Sequence, residues 1–200
     1  MELVRLLAQR GMDINENDGV SHLISRIAYQ ENWSPLMIAV SAGHTEVAKF
    51  LVDSNCNVNS VNSTGQTAMH YAASKNRLEI LSTLLSPNTH VDHRDSAGTT
   101  PLHRAISKGH MAFAEILLTM HLTNEQTEHE CDPKRLPKPA SANTCDDQGQ
   151  TPLHYACEEC NIPAIQLLLK HGGDSDQTAL DLAPAQLRPK IEKLARRIGA

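Results

Sequence analysis

The chain has 200 residues, of which 40% are hydrophobic and only 3% aromatic, and its formal net charge is −5. This length fits one ordinary domain or one short repeat array, and an apolar content made mostly of Ala and Leu suits a stack of short helices. The mild acidity argues against a nucleic-acid-binding protein, which needs a basic surface. No apolar run approaches the roughly 20 residues that a membrane span needs.

The N-terminal part of the sequence is predicted to be irregular. Residues 1–19 fit the second helix and hairpin of a repeat whose first helix is missing. The charges in Met1–Gly11 and its lack of an apolar core run are not those of a signal peptide. Residues 20–30 (VSHLISRIAYQ) have no counterpart elsewhere, and removing them joins their flanks into a hairpin of normal length. This segment is either a natural loop insertion or a translated short intron, because Val-Ser and Gln can be encoded by splice-site sequences.

A tetrad recurs along the rest of the chain, as SPLM at Ser34, TAMH at Thr67, TPLH at Thr100, TPLH at Thr151 and TALD at Thr178. The first two steps equal the period of about 33 residues that is typical of ankyrin repeats. The third step is 18 residues longer and the fourth is 6 residues shorter than those two. We therefore predict an all-α ankyrin-repeat solenoid, in which stacked helix-turn-helix units carry projecting hairpins.

Each unit also predicts where its first helix begins and ends. The Ser or Thr of the tetrad is expected to cap that helix, and Pro follows at the first helical position in three units. Gly43, Gly109 and Asn76 are expected to end it, because these residue types tolerate a positive φ. A His in the tetrad is expected to bond the backbone of an adjacent repeat. These histidines are His70, His103 and His154.

The repeat pattern divides the rest of the chain. Three full repeats are predicted over residues 31–121 and a fourth over residues 140–174, and residues 175–200 form a C-terminal capping repeat. The intervening residues 122–139 are polar and contain three Pro, so we expect a loop that is either a tolerated insertion or a regulatory or binding loop. The last helix, about Ala185–Ile198, ends in a basic turn that suits the negative end of the helix dipole.

No motif in the sequence indicates catalysis. Cys157 and Cys160 form a CxxC pair, but no second pair stands at zinc-site spacing. The segment His90–Asp95 lies on a hairpin, where His and Asp are ordinary turn residues. A Gly-rich phosphate loop, GxSxG and HExxH are all absent. We expect no enzyme activity, metal or cofactor, and five Cys without an export signal indicate reduced thiols in a cytoplasmic and nuclear protein.

The remaining candidate is a surface made of hairpin tips and the exposed side of the first helices. Trp, Tyr and Arg are enriched in binding hot spots, and the only Trp of the chain lies on a tip. Positive charges there precede negative ones along the chain, which fits a partner patterned in the opposite sense. The candidate partner-binding residues are Trp33, Ser41, Gln66, Tyr71, Lys75, Arg77, Arg104, Lys108, Asp147, Glu158 and Glu159. Further tip and surface residues are Asn62, Ser63, Asp95, Ser96, Thr99, Asp146 and Gln148.

Four stretches resemble the gankyrin family, the ankyrin-repeat non-ATPase subunits of the proteasome: NWSPLMIAVSAGHTEVAKFL, TGQTAMHYAASKNRLEI, TTPLHRAISKGH and GQTPLHYACEE. HYAASKNR is the most specific of their motifs, because it fixes surface residues that the fold leaves free. The resemblance implies a chaperone that assembles the proteasome 19S regulatory particle. Its concave face would hold the C-terminal domain of an ATPase subunit, with Lys75 as a main contact and Trp33 on the same face.

The sequence departs from that family in two respects. It lacks a counterpart of the first repeat, together with the basic residue used there, and it lacks the LxCxE motif through which retinoblastoma-type partners bind. The alternative is a generic ankyrin adaptor or an inhibitor that binds cyclin-dependent kinases. Under either interpretation we expect a monomer that binds neither nucleic acid nor membranes.

Overall fold

The computed structural model describes residues 32–120, 137–173, 183–185 and 188–198. Within these ranges all regular structure is helical. The predicted partial repeat at 1–19, the segment 20–30, the loop residues up to 136 and the tetrad at Thr178 lie outside the described residues. The helices are α1 (Pro35–Ala42), α2 (Thr45–Asp53), α3 (Ala68–Lys75), α4 (Leu78–Leu84), α5 (Pro101–Ser107), α6 (Met111–Thr119), α7 (Pro152–Glu158), α8 (Ile162–Lys170) and α9 (Arg188–Ile198).

The described residues divide into two compact units, 32–90 with Pro137 and 91–120 with 138–173, 183–185 and 188–198. In the first unit α1 packs against α2 and α3, while α2 and α3 both pack against α4. First helices therefore pack on first helices, and second helices on second helices. The buried core of this unit combines small residues of the first helices with large ones of both layers. It includes Leu36, Met37, Ala39, Ala72, Ile80 and Leu81.

The second unit repeats this arrangement and adds the last helix. Helix α5 packs against α6 and α7, α8 packs against α6 and α7, and α9 packs against α8. Its core includes Leu102, Ile106, Phe113, Leu117, Leu153, Ile165 and Leu168. Helix α9 begins at Arg188 rather than at Ala185 as the sequence predicted. Pro189 explains the later start, because a proline is tolerated only in the first turn of a helix.

The tetrad residues cap the first helices, and the His of the tetrad takes part in the cap. The Ser34 Oγ accepts a hydrogen bond from the N–H of Met37 at 3.3 Å. In the other described units the Thr N–H donates to the Nδ1 of the His three residues later, at 3.1 Å each time. These bonds satisfy helix N-terminal groups that otherwise lack partners. The sequence did not predict this second function of the His.

His103 also confirms the predicted link between neighbouring repeats. Its Nε2 lies 3.1 Å from the carbonyl oxygen of Gln150, in the next repeat. Since its Nδ1 accepts a hydrogen bond from the Thr100 N–H, Nε2 is the nitrogen that carries the proton and donates. Burial lowers the pKa of His103. The neutral ring is therefore favoured, and the two hydrogen bonds select its tautomer.

Left-handed residues end the first helices, as predicted. Gly43, Gly109 and Asn76 have φ values of 80°, 72° and 52°. The corresponding residue after α7 is Cys160, which adopts a φ of 54° although it is not a Gly or Asn. The repeat position thus requires a left-handed residue whichever side chain occupies it.

A second set of side chains links successive hairpins. Asn59 donates from Nδ2 to the carbonyl of Asn88 at 2.6 Å and accepts at Oδ1 from the N–H of His90 at 2.9 Å. Asp92, at the same repeat position, accepts from the N–H of Ser141 with both carboxylate oxygens at 3.1 Å. One position of the repeat therefore ties each of these hairpins to the next.

Candidate protein-binding surface

Each described hairpin is closed by the side chain of an Asn or Asp that stands five residues before the Thr of the next tetrad. Asp95 is the clearest case. Its Oδ1 accepts from the N–H groups of Ala97 and Thr99 at 3.0 and 2.9 Å, and its Oδ2 accepts from the Thr99 hydroxyl at 2.7 Å. Equivalent bonds are made by Asn62 and Asp146.

These bonds correct part of the sequence prediction. Asn62, Asp95 and Thr99 were predicted to be exposed at hairpin tips, and Asp146 to contribute surface charge, but all four are between 5% and 8% exposed. The side chains turn inward because the backbone N–H groups of a tight turn need acceptors. They shape the hairpin and are not available to a partner.

Asn62, Asp95 and Asp146 each also hydrogen-bond to one side chain of the first helix that follows the hairpin. Asn62 Nδ2 donates to the Tyr71 hydroxyl at 3.0 Å. Arg104 Nη2 donates to Asp95 Oδ2 at 2.7 Å, and the Tyr155 hydroxyl donates to Asp146 Oδ2 at 2.8 Å. Two candidate contact residues, Tyr71 and Arg104, are thereby fixed in position, and Tyr155 joins them. Sequence reasoning missed Tyr155, although it stands at the same repeat position as the other two.

Charge in the second unit is partly neutralised by these bonds. Burial alone raises the pKa of Asp95, but hydrogen bonds from Arg104, Thr99 and backbone N–H groups outweigh that effect and lower it to about 2. Burial and the hydrogen bond to Asp146 raise the pKa of Tyr155 to about 12. At neutral pH Asp95 is therefore ionised and Tyr155 is neutral. Since Asp95 compensates it, Arg104 contributes little net charge to the surface.

The first unit brings two of the candidate aromatic residues together. The ring centroids of Trp33 and Tyr71 lie 4.3 Å apart at an interplanar angle of 47°. Both side chains are half-buried, and the Trp33 Nε1 is buried without a hydrogen-bond partner within the described residues. Val61, adjacent in sequence to the Asn62 that holds Tyr71, is exposed. This part of the surface is apolar, with Lys75 exposed at the end of the same helix.

Arg77 has a structural role that the sequence analysis did not predict. Its Nη2 donates to the carbonyl oxygen of Ser41 at 3.0 Å. Its guanidinium group also fills the space beside Gly43, where an added Cβ would lie 2.8 Å from the Arg77 Cζ. The cation thus lies at the C-terminal end of α1, where the helix dipole favours positive charge. Ser41 and Arg77, both candidate contact residues, join two consecutive repeats.

The remaining candidates differ in whether another side chain already binds them. Asp147 pairs with Arg94 at 2.7 Å, and both side chains are about half exposed. Gln66 is half-buried at the base of its hairpin. The last group is exposed, and its side chains form no ion pair with any part of the chain that the structure describes. This group is Lys75, Lys108, Glu158 and Glu159.

Three further features of the described residues bear on function: possible metal ligands, cysteine thiols and the apolar character of the helices. Nowhere in residues 32–120, 137–173, 183–185 and 188–198 do three His, Cys, Asp or Glu side chains come close enough to hold a metal. Cys157 is buried, whereas Cys145 and Cys160 are exposed. Burial raises the pKa of the Cys56 thiol to about 11, so it is protonated at neutral pH. No helix of the described ranges has the length and apolar character of a membrane span.

Comparison with known proteins identifies the repeat. The chain matches a family model described as ankyrin repeats (3 copies) over residues 1–95, 65–128, 87–179 and 131–194. It is 35% identical over 71 residues to protein phosphatase 1 regulatory subunit 12A of Mus musculus and of Rattus norvegicus. That match covers 36% of this chain but only 6% of each relative. The paired helices and the family match confirm the predicted all-α fold. The chain belongs to the ankyrin-repeat family.

Proposed function

We propose that this protein is a binding adaptor that recognises a partner protein through its hairpins and the exposed flanks of its first helices. One observation carries the proposal. The hairpin Asn and Asp side chains fix Tyr71, Arg104 and Tyr155 in place, while charged residues on the same helices are unpaired among the described residues. Side chains fixed before binding lose little conformational freedom when a partner arrives.

The chemistry of the first unit indicates what its partner presents. The neighbouring, mutually tilted rings of Trp33 and Tyr71 offer an apolar anchor, and such aromatic residues commonly dominate binding energy. Lys75 adds an exposed positive charge. We expect a partner that places an apolar side chain on the two rings and a carboxylate near Lys75.

The second unit offers charges of both signs. Lys108, at the end of α5, is exposed, and so are the consecutive residues Glu158 and Glu159 at the end of α7. Opposite charges at separate repeats favour one orientation of a partner and disfavour the reverse. Recognition by this unit is therefore expected to depend on salt more strongly than recognition by the aromatic pair.

A pull-down with three baits tests the proposal. The baits are the wild-type chain, Lys75→Glu and Lys49→Glu, which makes the same charge change at an exposed position of α2. Recovered proteins are identified by mass spectrometry. We expect partners that wild type and Lys49→Glu retain and Lys75→Glu loses. Equal recovery of every protein by all three baits would refute the assignment of Lys75 to the binding surface.

A second candidate function is assembly of the proteasome 19S regulatory particle. The observation that favours it is the resemblance of HYAASKNR to the gankyrin family, together with the exposure of Lys75 within that stretch. In this mechanism the protein captures and later releases the C-terminal domain of an ATPase subunit, without any bond chemistry. Recovery of proteasomal ATPase subunits by wild type, and their loss with Lys75→Glu, supports this candidate.

Recovery of other proteins would indicate a different function for the adaptor. Cyclin-dependent kinases in the pull-down support the inhibitor alternative. A phosphatase catalytic subunit supports a regulatory function like the one in the name of the two relatives. We further propose that the protein is a monomer, is located in the cytoplasm and nucleus, and catalyses no reaction. Light scattering at increasing concentration tests the monomer, and turnover lost through a single substitution would contradict the absence of catalysis.

A further inference from the structure

Helix α9 concentrates positive charge at one place in an acidic chain. Its sequence RPKIEKLARRI contains five cationic side chains and one acidic side chain, a formal charge of +4. Since the whole chain carries −5 and this helix contributes +4, the rest of the chain carries −9. The helix is therefore a local exception in the electrostatics of the protein.

Most of the cations of α9 lie on one side. An α-helix advances about 100° per residue, so Lys190, Lys193, Arg196 and Arg197 fall within an arc of about 120°. Ile191 lies about 160° from the middle of that arc. The four cationic residues are exposed, whereas Ile191 is completely buried and α9 packs on α8. The apolar side of the helix is used within the second unit, and the cationic side faces outward.

Little within the described residues compensates these charges. Arg196 lies 3.5 Å from Glu192, but the two side chains are 82% and 48% exposed, and such exposed pairs contribute little. Lys190, Lys193 and Arg197 form no ion pair with the described part of the chain. Arg188 differs from them, because it is half-buried and donates from Nε to the carbonyl of Ala183 at 3.0 Å. It anchors the helix rather than adding to its free charge.

We propose that Lys190, Lys193, Arg196 and Arg197 form a second docking surface, the cationic patch, which binds a short acidic segment of a partner protein. The patch extends for about 10 Å along the helix axis, the length of about three extended residues. A cluster of Asp or Glu side chains of that length matches it in charge and size. This surface shares no residue with the one in the proposed function, so the two can succeed or fail separately.

The same observations disfavour other anionic partners. A nucleic-acid duplex extends well beyond a patch of this length and meets a remaining chain with a charge of −9, which repels its phosphates. Membrane-surface helices insert an apolar side below the lipid headgroups, whereas the apolar Ile191 of α9 is buried in the protein. An acidic peptide needs neither a longer cationic track nor an apolar side.

Fluorescence anisotropy with the full chain tests the cationic patch. The probe is a labelled peptide of alternating Glu and Asp, and its reference is the Gln and Asn counterpart. The test variant neutralises the patch (Lys190→Gln, Lys193→Gln, Arg196→Gln, Arg197→Gln). The matched control removes four exposed cations elsewhere, none of them in the binding surface of the proposed function (Lys49→Gln, Arg94→Gln, Lys138→Gln, Lys170→Gln), and changes the net charge equally.

We expect the acidic peptide to bind more tightly than its neutral counterpart, and the patch variant to lose about tenfold in affinity, equivalent to about 1.4 kcal/mol. The control should stay within about threefold of wild type. A comparable loss in the control, no preference for the acidic peptide, or tighter binding to duplex DNA or anionic vesicles than to the peptide would overturn the proposal.

Two further variants separate binding from folding. The substitutions Lys190→Arg and Lys193→Arg keep the charge and should keep the affinity. The substitutions Lys190→Glu and Lys193→Glu reverse it and should shift the preference towards a Lys-rich peptide. Circular dichroism shows whether each variant retains its helices. A folded reversal variant that still prefers the acidic peptide contradicts the proposal.

Discussion

The two units of the molecule use the same repeat positions with different chemistry. In the first unit the linking side chains are neutral amides, since Asn59 ties two hairpins and Asn62 holds Tyr71. In the second unit they are carboxylates, since Asp92 binds Ser141 and Asp95 holds Arg104. An amide offers a donor and an acceptor, whereas a carboxylate offers only acceptors and carries charge. One fold thus accepts neutral or ionised links, and only the ionised ones respond to pH.

The largest expected effect comes from removing the cation of the Asp95–Arg104 pair. Arg104→Met leaves the carboxylate of Asp95 buried without its charged partner, and we expect a loss of about 2 kcal/mol in the free energy of unfolding. The equivalent change in the first unit, Tyr71→Phe, removes a neutral hydrogen bond and should cost about 1 kcal/mol. Urea unfolding followed by circular dichroism measures both. Equal losses would mean that the charge of the link is unimportant.

The charged links should also make stability depend on pH. Asp95 has a pKa lowered from 3.8 to about 2 in the folded chain, so the unfolded chain binds this proton first as the solution is acidified. Its stabilisation is full above pH 4 and is lost as pH falls towards 2.

Asp95→Asn isolates this contribution. Between pH 4 and pH 2 the stability of the wild type should fall more steeply than that of the variant, by up to about 1.4 kcal/mol per pH unit, the linkage value for one proton. Thermal unfolding at several pH values in this range provides the slopes. Parallel curves would show that Asp95 does not titrate differently in the folded and unfolded chains.

A smaller effect of opposite sign is expected at Asp92. Burial raises the pKa of Asp92, and the bond from Ser141 only partly offsets this. A raised pKa means that its contribution to stability is present at low pH and is lost as pH rises through the folded-state value, so the ionised form weakens the fold at neutral pH. Asp92→Asn restores the amide that Asn59 supplies in the first unit.

We expect this substitution to raise the free energy of unfolding by about 0.5–1 kcal/mol at pH 7. The gain should shrink below pH 3.8, the ordinary pKa of an Asp, because the raised pKa leaves the wild-type carboxyl mostly neutral there. Thermal unfolding at the two pH values measures the difference, and Asn59→Asp provides the converse change in the first unit. A stability that falls at pH 7 with Asp92→Asn would contradict the interpretation of this link.

The smallest effect is expected at the exposed pair of Arg94 and Asp147. Both side chains are about half exposed, so Arg94→Gln should cost less than about 0.5 kcal/mol. Even this difference should vanish at about 1 M salt, where screening is nearly complete. Melting temperatures at low and high salt measure it. A cost that persists at high salt would show that Arg94 acts through its bond to the Gly98 carbonyl instead.

The sequence predicted the features that depend on local spacing. The tetrad located the start of four described first helices, and Gly43, Asn76 and Gly109 located the ends of three. The predicted link between neighbouring repeats was found at His103. These features follow from capping and backbone conformation, which a short stretch of residues determines by itself.

The features that the sequence analysis missed depend on where a side chain points. Asn and Asp correctly indicated hairpin turns, but the turn signal does not say that Asp95 bends inward and reaches Arg104. The contact of Arg77 with Ser41 depends on the space that Gly43 leaves in the preceding repeat. The exposed residues at the ends of the first helices are the opposite case. The fold leaves them exposed and without ion pairs among the described residues, so the repeat pattern does not determine their identity.

Site-specific photocrosslinking tests the central claim most directly, because it reports contact rather than stability. A photoreactive amino acid is placed at position 75 on α3 or, as the matched control, at position 49 on α2, and the chain is irradiated in a cell extract. The proposed binding surface predicts a defined crosslinked protein from position 75 and none from position 49. The same crosslinked protein from both positions, or from position 49 alone, would contradict it.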